Sequence, residues 1–227
     1  MISIVIPALN EAESIGHVLD EVKRNFPNAE IIVVDSDSTD GTADIAKSKG
    51  AKVVNESMRG YGYAYMKGFK NAGGDIIVTL DADGTYPPSE AKRLVEMIGK
   101  YDFINGERLS NSSKEAMPTM HMIGNFILTL LTRILFMVRI TDSQSGMWVF
   151  KREILNDILP SSGGMEFSEE IKIRAASAYC YKEVPIEYRR RMGEKKLRPW
   201  KDGIRNMVYL FKLRITGNIK MKNRKCD

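Results

Sequence analysis

Ile76-Ile77-Val78-Thr79-Leu80-Asp81-Ala82-Asp83-Gly84 is an apolar run of strand length that stops at two carboxylates two residues apart. In an extended chain alternate side chains share a face, so Asp81 and Asp83 can converge on one cation where the strand ends. Ligands of open α/β folds bind at that carboxyl edge of the sheet. Carboxylate oxygens suit Mg²⁺ or Mn²⁺, which keep positions open for substrate phosphate oxygens. A metal there neutralises charge developing on a diphosphate leaving group. A bare Asp-x-Asp is most often an acidic loop, and its place behind the fourth of a series of strands is what points to a site.

Working outward, residues 2–6, 31–34, 52–54 and 103–105 are further short apolar runs separated by helical patterns, the mark of βαβ units and a mainly parallel sheet. Ile15, Val18, Leu19, Val22 and Phe26 recur at the spacing of one helix face and predict a core helix after the first run. The turn Pro7-Ala8-Leu9-Asn10-Glu11 follows the first run, and Asp35-Ser36-Asp37-Ser38-Thr39-Asp40-Gly41 follows the second. Adjacent parallel strands bring these turns beside the Asp81 turn, giving a crevice lined by Glu11, Asp35, Asp37, Asp81 and Asp83. Asn10, Ser38, Thr39 and Asp40 also suit helix capping. Neither Gly-x-Gly-x-x-Gly nor Gly-x-x-x-x-Gly-Lys-Ser/Thr occurs, so the dinucleotide and P-loop readings lack their motif.

The 227 residues suit one large domain, and 43% hydrophobic with 28% charged residues exclude disorder, collagen and coiled coil. Residues 201–227 hold eight basic residues against two acidic, so the net charge of +5 sits in the tail and residues 1–200 are near neutral. We expect a catalytic unit over 1–200 and an amphipathic helix with a basic tail over 201–227. Nucleic-acid binding is disfavoured because the tail lacks interleaved aromatics. Cys180 and Cys226 are too few for a disulfide framework or a zinc knuckle and suit a reducing compartment. The chain opens on strand-like residues with no basic leader, so no secretory signal is expected.

Two later segments read differently. In residues 117–139 the polar positions His121, Asn125, Thr129, Thr132 and Arg133 make a narrow stripe, and the remaining circumference is apolar. Residues 204–215 place Ile204, Met207, Val208, Phe211 and Ile215 on one face. Both segments are open to packing as core or to docking on a membrane surface. The first is marginal as a bilayer span, which needs about 20 apolar residues.

Residues 4–11, 33–42, Gly60-Tyr61-Gly62-Tyr63-Ala64 with Gly73-Gly74-Asp75, and Asp81-Ala82-Asp83 together resemble family 2 glycosyltransferases with the GT-A fold, a Rossmann-like α/β sheet for nucleotide sugars. Asp142-Ser143-Gln144-Ser145-Gly146-Met147, Gly164-Met165-Glu166-Phe167 and Glu183-Val184-Pro185-Ile186, with Arg191, Gly193, Lys196 and Leu197, narrow the likeness to polyprenyl-phosphate sugar synthases of the dolichol-phosphate mannose synthase type. The resemblance covers roughly residues 1–205. It implies that Pro7, Leu9, Glu11, Asp35, Asp37 and Gly62 belong to the nucleotide-sugar site. It implies further that Asp81 and Asp83 bind metal and diphosphate and that Ala82 lines the pocket. Arg108, in Gly106-Glu107-Arg108, takes the place of the family's acceptor-phosphate arginine, with Glu107 a departure. The basic segment 189–198 resembles the family's mobile loop, with Arg191 and Lys196 as phosphate contacts. The Gln that usually follows the acidic motif is absent, Gly84 and Thr85 standing there instead, which leaves the donor open between GDP-mannose and a UDP-hexose.

The reaction so implied is a metal-dependent, inverting hexosyl transfer from a nucleotide sugar to polyprenyl (dolichyl) phosphate, by an enzyme peripheral to the cytoplasmic membrane face. A phosphate nucleophile needs no strong base; a hydroxyl acceptor would need one, and Asp142, with Glu166 behind it, is then the candidate. The competing readings are a soluble transferase acting on a small phosphorylated acceptor, which could bury its apolar helices in a homo-oligomer, and a catalytically silent nucleotide-sugar-binding subunit.

Overall fold

The computed structural model describes residues 1–110, 117–193, 199–217, 219 and 226. Among these, seven strands form one sheet. In chain order the elements are β1 (Ile2–Ala8), α1 (Ala12–Asn25), β2 (Glu30–Asp35), α2 (Thr42–Ser48), β3 (Lys52–Asn55), α3 (Tyr61–Asn71), β4 (Ile76–Thr79) and α4 (Pro88–Met97). They continue with β5 (Phe103–Glu107), α5 (Thr119–Phe136), β6 (Trp148–Lys151), α6 (Leu155–Ile158), α7 (Phe167–Ala178), β7 (Tyr181–Pro185) and α8 (Pro199–Thr216). The spatial order is β3-β2-β1-β4-β6-β5-β7. All neighbours are parallel except β6, which runs antiparallel to β4 and β5.

Strand periodicity sorts the core into two layers. Ile4, Ile6, Val33 and Val78 face α1 and α4, where Ile15, Val18, Leu19 and Val22 complete the predicted helix face. Val5, Ile32, Val34 and Ile77 face the other way, onto Tyr65 and Phe69 of α3 and Phe167 and Ile171 of α7. That second layer is aromatic: Phe103 stacks on Phe150 with ring centroids 5.4 Å apart, and Tyr65 packs on Trp148 at 5.1 Å.

The antiparallel β6 positions the site. Its amino end lies at the edge where β4 and β5 have their carboxyl ends, so the segment preceding it, Asp142 to Met147, is delivered to the Asp81 turn. Thr79 ties the two together, its hydroxyl donating to the Gly146 carbonyl at 2.7 Å and accepting from the Trp148 N–H at 2.8 Å.

The two late helices expose much of their apolar surface. On α5 the stripe Asn125, Thr129 and Thr132 is buried, whereas Ile123, Phe126, Ile127, Leu130 and Ile134 are exposed, Phe126 by 62% and Ile134 by 66%. On α8 the inward residues are Asn206, Leu210 and Leu213; the apolar face read from the sequence, Ile204, Met207, Val208, Phe211 and Ile215, points to solvent. The helices pack on each other through Leu128, Phe136, Leu210 and Leu213. Alpha-5 is long and apolar enough to cross a membrane by length and composition. The expected division at residue 200 falls inside the first turn of α8. One expectation is corrected: Cys180 and Cys226 form a disulfide, with Cα atoms 5.0 Å apart. Their separation of 46 residues conceals that Cys226 lies beside Cys180, the residue before β7.

Gly68 of α3 tests how tightly that helix lies on the sheet. A Cβ there would stand 2.3 Å from Val5 Cγ1 and 3.1 Å from Val34 Cγ2. Gly to Ala inside a helix ordinarily stabilises by about 1 kcal/mol. Here Gly68→Ala is expected to destabilise by about 1–3 kcal/mol, as overpacking does, read from the urea midpoint.

Candidate active site

At the carboxyl edge, β1, β2 and β4 bring together the acids read from the sequence. Asp35 is 5% exposed; its Oδ2 accepts from the Ser38 N–H at 3.1 Å, and its buried Oδ1 has no hydrogen-bond partner. Asp37 stands at the rim with φ +57°, its Oδ1 accepting from Asn55 Nδ2 at 2.8 Å. Asp83 Oδ1 accepts from the Thr85 N–H at 3.0 Å and the Thr85 hydroxyl at 2.7 Å, so Thr85, where the family pattern departs, fixes that carboxylate. Arg191 Nη1 donates to Asp83 Oδ2 at 2.6 Å, and its Nη2 donates to Glu11. Backbone bonds from Met192 to Asp83 and from Arg189 to Thr85, both 2.9 Å, lay that strap over the acidic turn. Burial, followed by the charge of Asp83, pushes Asp81 up to about 7, with Arg108 and Arg191 partly offsetting the rise. Two adjacent carboxylates, one of them reluctant to ionise, are a hard-oxygen donor set that fits a divalent cation. Among the described residues no three His, Cys, Asp or Glu side chains are grouped to hold a metal. A cation on Asp81 and Asp83 would therefore complete its shell with water and phosphate oxygens.

The second half of the site is a buried ion pair. Arg108, just beyond β5, grips Asp142 with a fork: Nε to Oδ2 at 2.8 Å and Nη2 to Oδ1 at 2.9 Å. The Arg108 backbone N–H adds a bond to Oδ2 at 3.0 Å, and the guanidinium lies 5.3 Å from the Tyr188 ring centroid. Asp142 Oδ1 also accepts from Asn125 Nδ2 at 2.9 Å and from the Gln144 N–H at 3.1 Å. Burial alone would raise Asp142, but the charge and hydrogen bonds of Arg108 outweigh it and hold the carboxyl well below the usual range. Glu183 of β7 secures the loop by accepting from the Thr141 N–H and hydroxyl, and from Asn105 Nδ2 at 2.7 Å.

Behind this loop Lys172 is fully buried, its ammonium donating to the Ser145 carbonyl at 2.7 Å and lying 5.6 Å from the Trp148 ring centroid. Burial pulls its pKa down to about 7. Burial likewise lifts Glu169 to about 8; its Oε1 accepts from Gln144 Nε2 at 2.5 Å and its Oε2 is without a partner. Glu166 accepts from Arg205 Nη2 at 3.0 Å through Oε1, and its buried Oε2 also lacks a partner.

The description "Glycosyl transferase family 2" matches residues 3–159, the stretch that carries the acidic edge, Arg108 and Asp142. The chain belongs to that family. It is 36% identical over 218 residues to the low-salt glycan biosynthesis hexosyltransferase Agl6 of Haloferax volcanii, covering 92% of this chain and 53% of that protein. This chain thus spans about half of Agl6. It is 34% identical over 205 residues to a dolichyl-phosphate hexose transferase of the same organism, covering 89% of each. The fold matches glucosyl-3-phosphoglycerate synthase of Mycobacterium tuberculosis, solved with Mn²⁺, UDP-glucose and phosphoglyceric acid. That match has a TM-score of 0.75 and 22% identity, over 94% of this chain and 79% of the other. The sheet of this family 2 glycosyltransferase is therefore of the GT-A type.

Of the expected site residues, Pro7, Leu9, Glu11, Asp35, Asp37, Asp81, Asp83, Arg108, Asp142 and Arg191 come to this one edge. Two are placed differently from expectation. Ala82 is buried in the apolar layer under α1 rather than facing the crevice. Gly62 lets α3 approach the 162–163 turn, where a Cβ would meet the Ser162 carbonyl at 2.4 Å. Arg191 pairs with Glu11 and Asp83, as a cation beside two converging acids does. Lys196 lies outside the described residues. Sequence reasoning missed Tyr61, whose hydroxyl is 3.4 Å from Asp81 Oδ1, and Tyr86, whose hydroxyl accepts from the Gly146 N–H at 2.7 Å. It also missed Lys172 and Glu169, which no motif marks.

Glu169 gives a pH test. Its pKa rises from an ordinary 4.5 to about 8, so the folded chain binds the extra proton between those values. Stability from this group is full below the lower value and is lost as pH rises through the upper one. Glu169→Gln should therefore flatten the fall in urea midpoint between about pH 5 and pH 8; an unchanged profile would refute the assignment.

Proposed function

We propose that this family 2 glycosyltransferase moves a hexose from a nucleotide sugar to the phosphate of a polyprenyl lipid, while docked on the cytoplasmic membrane face. The single observation that carries the reading is the inverted α5. Its outer apolar residues face solvent, and Asn125 of its polar stripe bonds Asp142, the partner of Arg108, so one helix joins an apolar surface to the cation that would bind phosphate. The names of the relatives, a dolichyl-phosphate hexose transferase among them, support the acceptor class. A polyprenyl chain does not leave the bilayer cheaply, and exposed apolar helices beside a basic tail provide interfacial docking.

On the donor side, Asp35 with its unpartnered Oδ1 suits a hydrogen-bond donor of the nucleoside, and Asp81 with Asp83 would hold Mg²⁺ or Mn²⁺. Such a cation neutralises charge on the departing diphosphate. Arg191 must leave Asp83 and Glu11 as the donor enters, and it is then placed to contact phosphate. On the acceptor side, Arg108 orients the lipid phosphate at the anomeric carbon. That phosphate is already anionic near neutral pH, so no base is required, and single displacement inverts the anomeric configuration. Asp142, with both oxygens engaged and its pKa depressed, serves as the anchor of Arg108 instead of a proton acceptor.

The test is transfer of radiolabelled sugar from UDP- and GDP-sugars to short polyprenyl phosphate with Mg²⁺ or Mn²⁺. Lipid-extractable product is expected, falling by about 10²–10³ in Asp83→Ala, the scale of losing a transition-state electrostatic group. Product on phosphoglycerate with none in the lipid phase would overturn the reading. In sedimentation with anionic vesicles, Phe126→Glu combined with Ile134→Glu should weaken binding at least about tenfold, since each side chain removes buried apolar area and adds a charge.

A further inference from the structure

The polar stripe of α5 does more than fill space. Asn125 is 6% exposed and donates through Nδ2 to Asp142 Oδ1 at 2.9 Å, the oxygen that also receives Arg108 Nη2 at 2.9 Å. One turn on, the Thr129 hydroxyl accepts from the Ser143 N–H at 3.1 Å, so α5 holds both the carboxylate and the backbone of the same loop. Asp142 is completely buried and Arg108 nearly so. A guanidinium held by a planar fork points wherever its carboxylate points, and the carboxylate's orientation is set by its remaining bonds. Those bonds come from the Arg108 backbone N–H to Oδ2 at 3.0 Å, from Gln144 within the loop and, alone from a helix, from Asn125 to Oδ1.

We propose that Asn125 is a positioning residue for the acceptor phosphate: by fixing Asp142 it fixes Arg108, so the exposed apolar helix and the phosphate-binding arginine move as one unit. This rests on the reading of Arg108 as the acceptor-phosphate group. Asn125 acts through Asp142, and its effect is confined to the acceptor. A shift of α5 as its outer face enters lipid reaches Arg108 through two hydrogen bonds.

The experiment compares wild type with Asn125→Leu, which keeps the volume and removes the amide, and with Asn125→Ala. Each is made alone and in the Arg108→Lys background, with acceptor and donor KM measured on polyprenyl phosphate and on phosphoglycerate. The expected result is a rise of about tenfold in acceptor KM, the scale of losing a hydrogen bond to a charged group, with donor KM unchanged. In the Arg108→Lys background the Asn125 change should add little, because the two act through one path. Equal rises in both KM values, or full additivity with Arg108→Lys, would overturn the proposal. If wild type uses neither acceptor, the functional reading fails, and a second measurement decides the positioning claim by itself. Solvent exchange of the Arg108 Nε–H, followed in ¹⁵N-arginine-labelled protein, should be slow in wild type and accelerate severalfold in Asn125→Leu. Unchanged exchange would refute any hold of Asn125 on the pair.

Discussion

The buried pair of Arg108 and Asp142 is the constraint around which the second half of the chain is arranged. A carboxylate and a guanidinium removed from water are tolerable only when their remaining hydrogen-bonding capacity is met, and removing one partner from such a pair commonly costs about 3–5 kcal/mol. The chain meets that demand from several directions. Asn125 comes from α5 and Gln144 from the loop itself, while Glu183 and Asn105, from β7 and β5, hold the loop in place. Each of these elements is thereby drawn to one point beside the acidic edge of the sheet.

This explains why α5 turns part of its polar stripe inward. A helix in a water-soluble domain turns its apolar stripe inward. Here the inward side of α5 carries Asn125 and Thr129, which serve the buried pair and its loop, next to Leu128 and Phe136, which pack on α8, while Ile123, Phe126, Ile127, Leu130 and Ile134 are left outside. Exposed contiguous apolar faces of this kind mark interaction sites. The same inversion links the two ends of the proposed reaction, a lipid surface outside and a phosphate-binding cation within.

The acidic edge is built more locally. Its acids lie in the turns that end β1, β2 and β4, and parallel pairing of those strands is enough to bring them together. Thr85 fixes Asp83 two residues away, and the strap carrying Arg191 folds back across the same turn. Burial, and after it the neighbouring charge of Asp83, pushes Asp81 up to about 7.

The two halves were unequally legible. Strand runs, the face of α1 and the acidic edge were determined by the sequence alone, since period-2 and helical patterns and short turns are local properties that do not depend on distant residues. The stripe His121, Asn125, Thr129, Thr132 and Arg133 was equally visible, but its direction was not. Whether a narrow polar stripe on an apolar helix faces water or a buried ion pair is decided by what the rest of the chain places opposite it. Only the tertiary structure set the antiparallel entry of β6, the grip of Asp142 on Arg108, the buried Lys172 and Glu169, and the Cys180–Cys226 disulfide. Each joins residues far apart in sequence or depends on burial for its chemistry, and the desolvation that moves a pKa or demands a partner exists only once the core has closed.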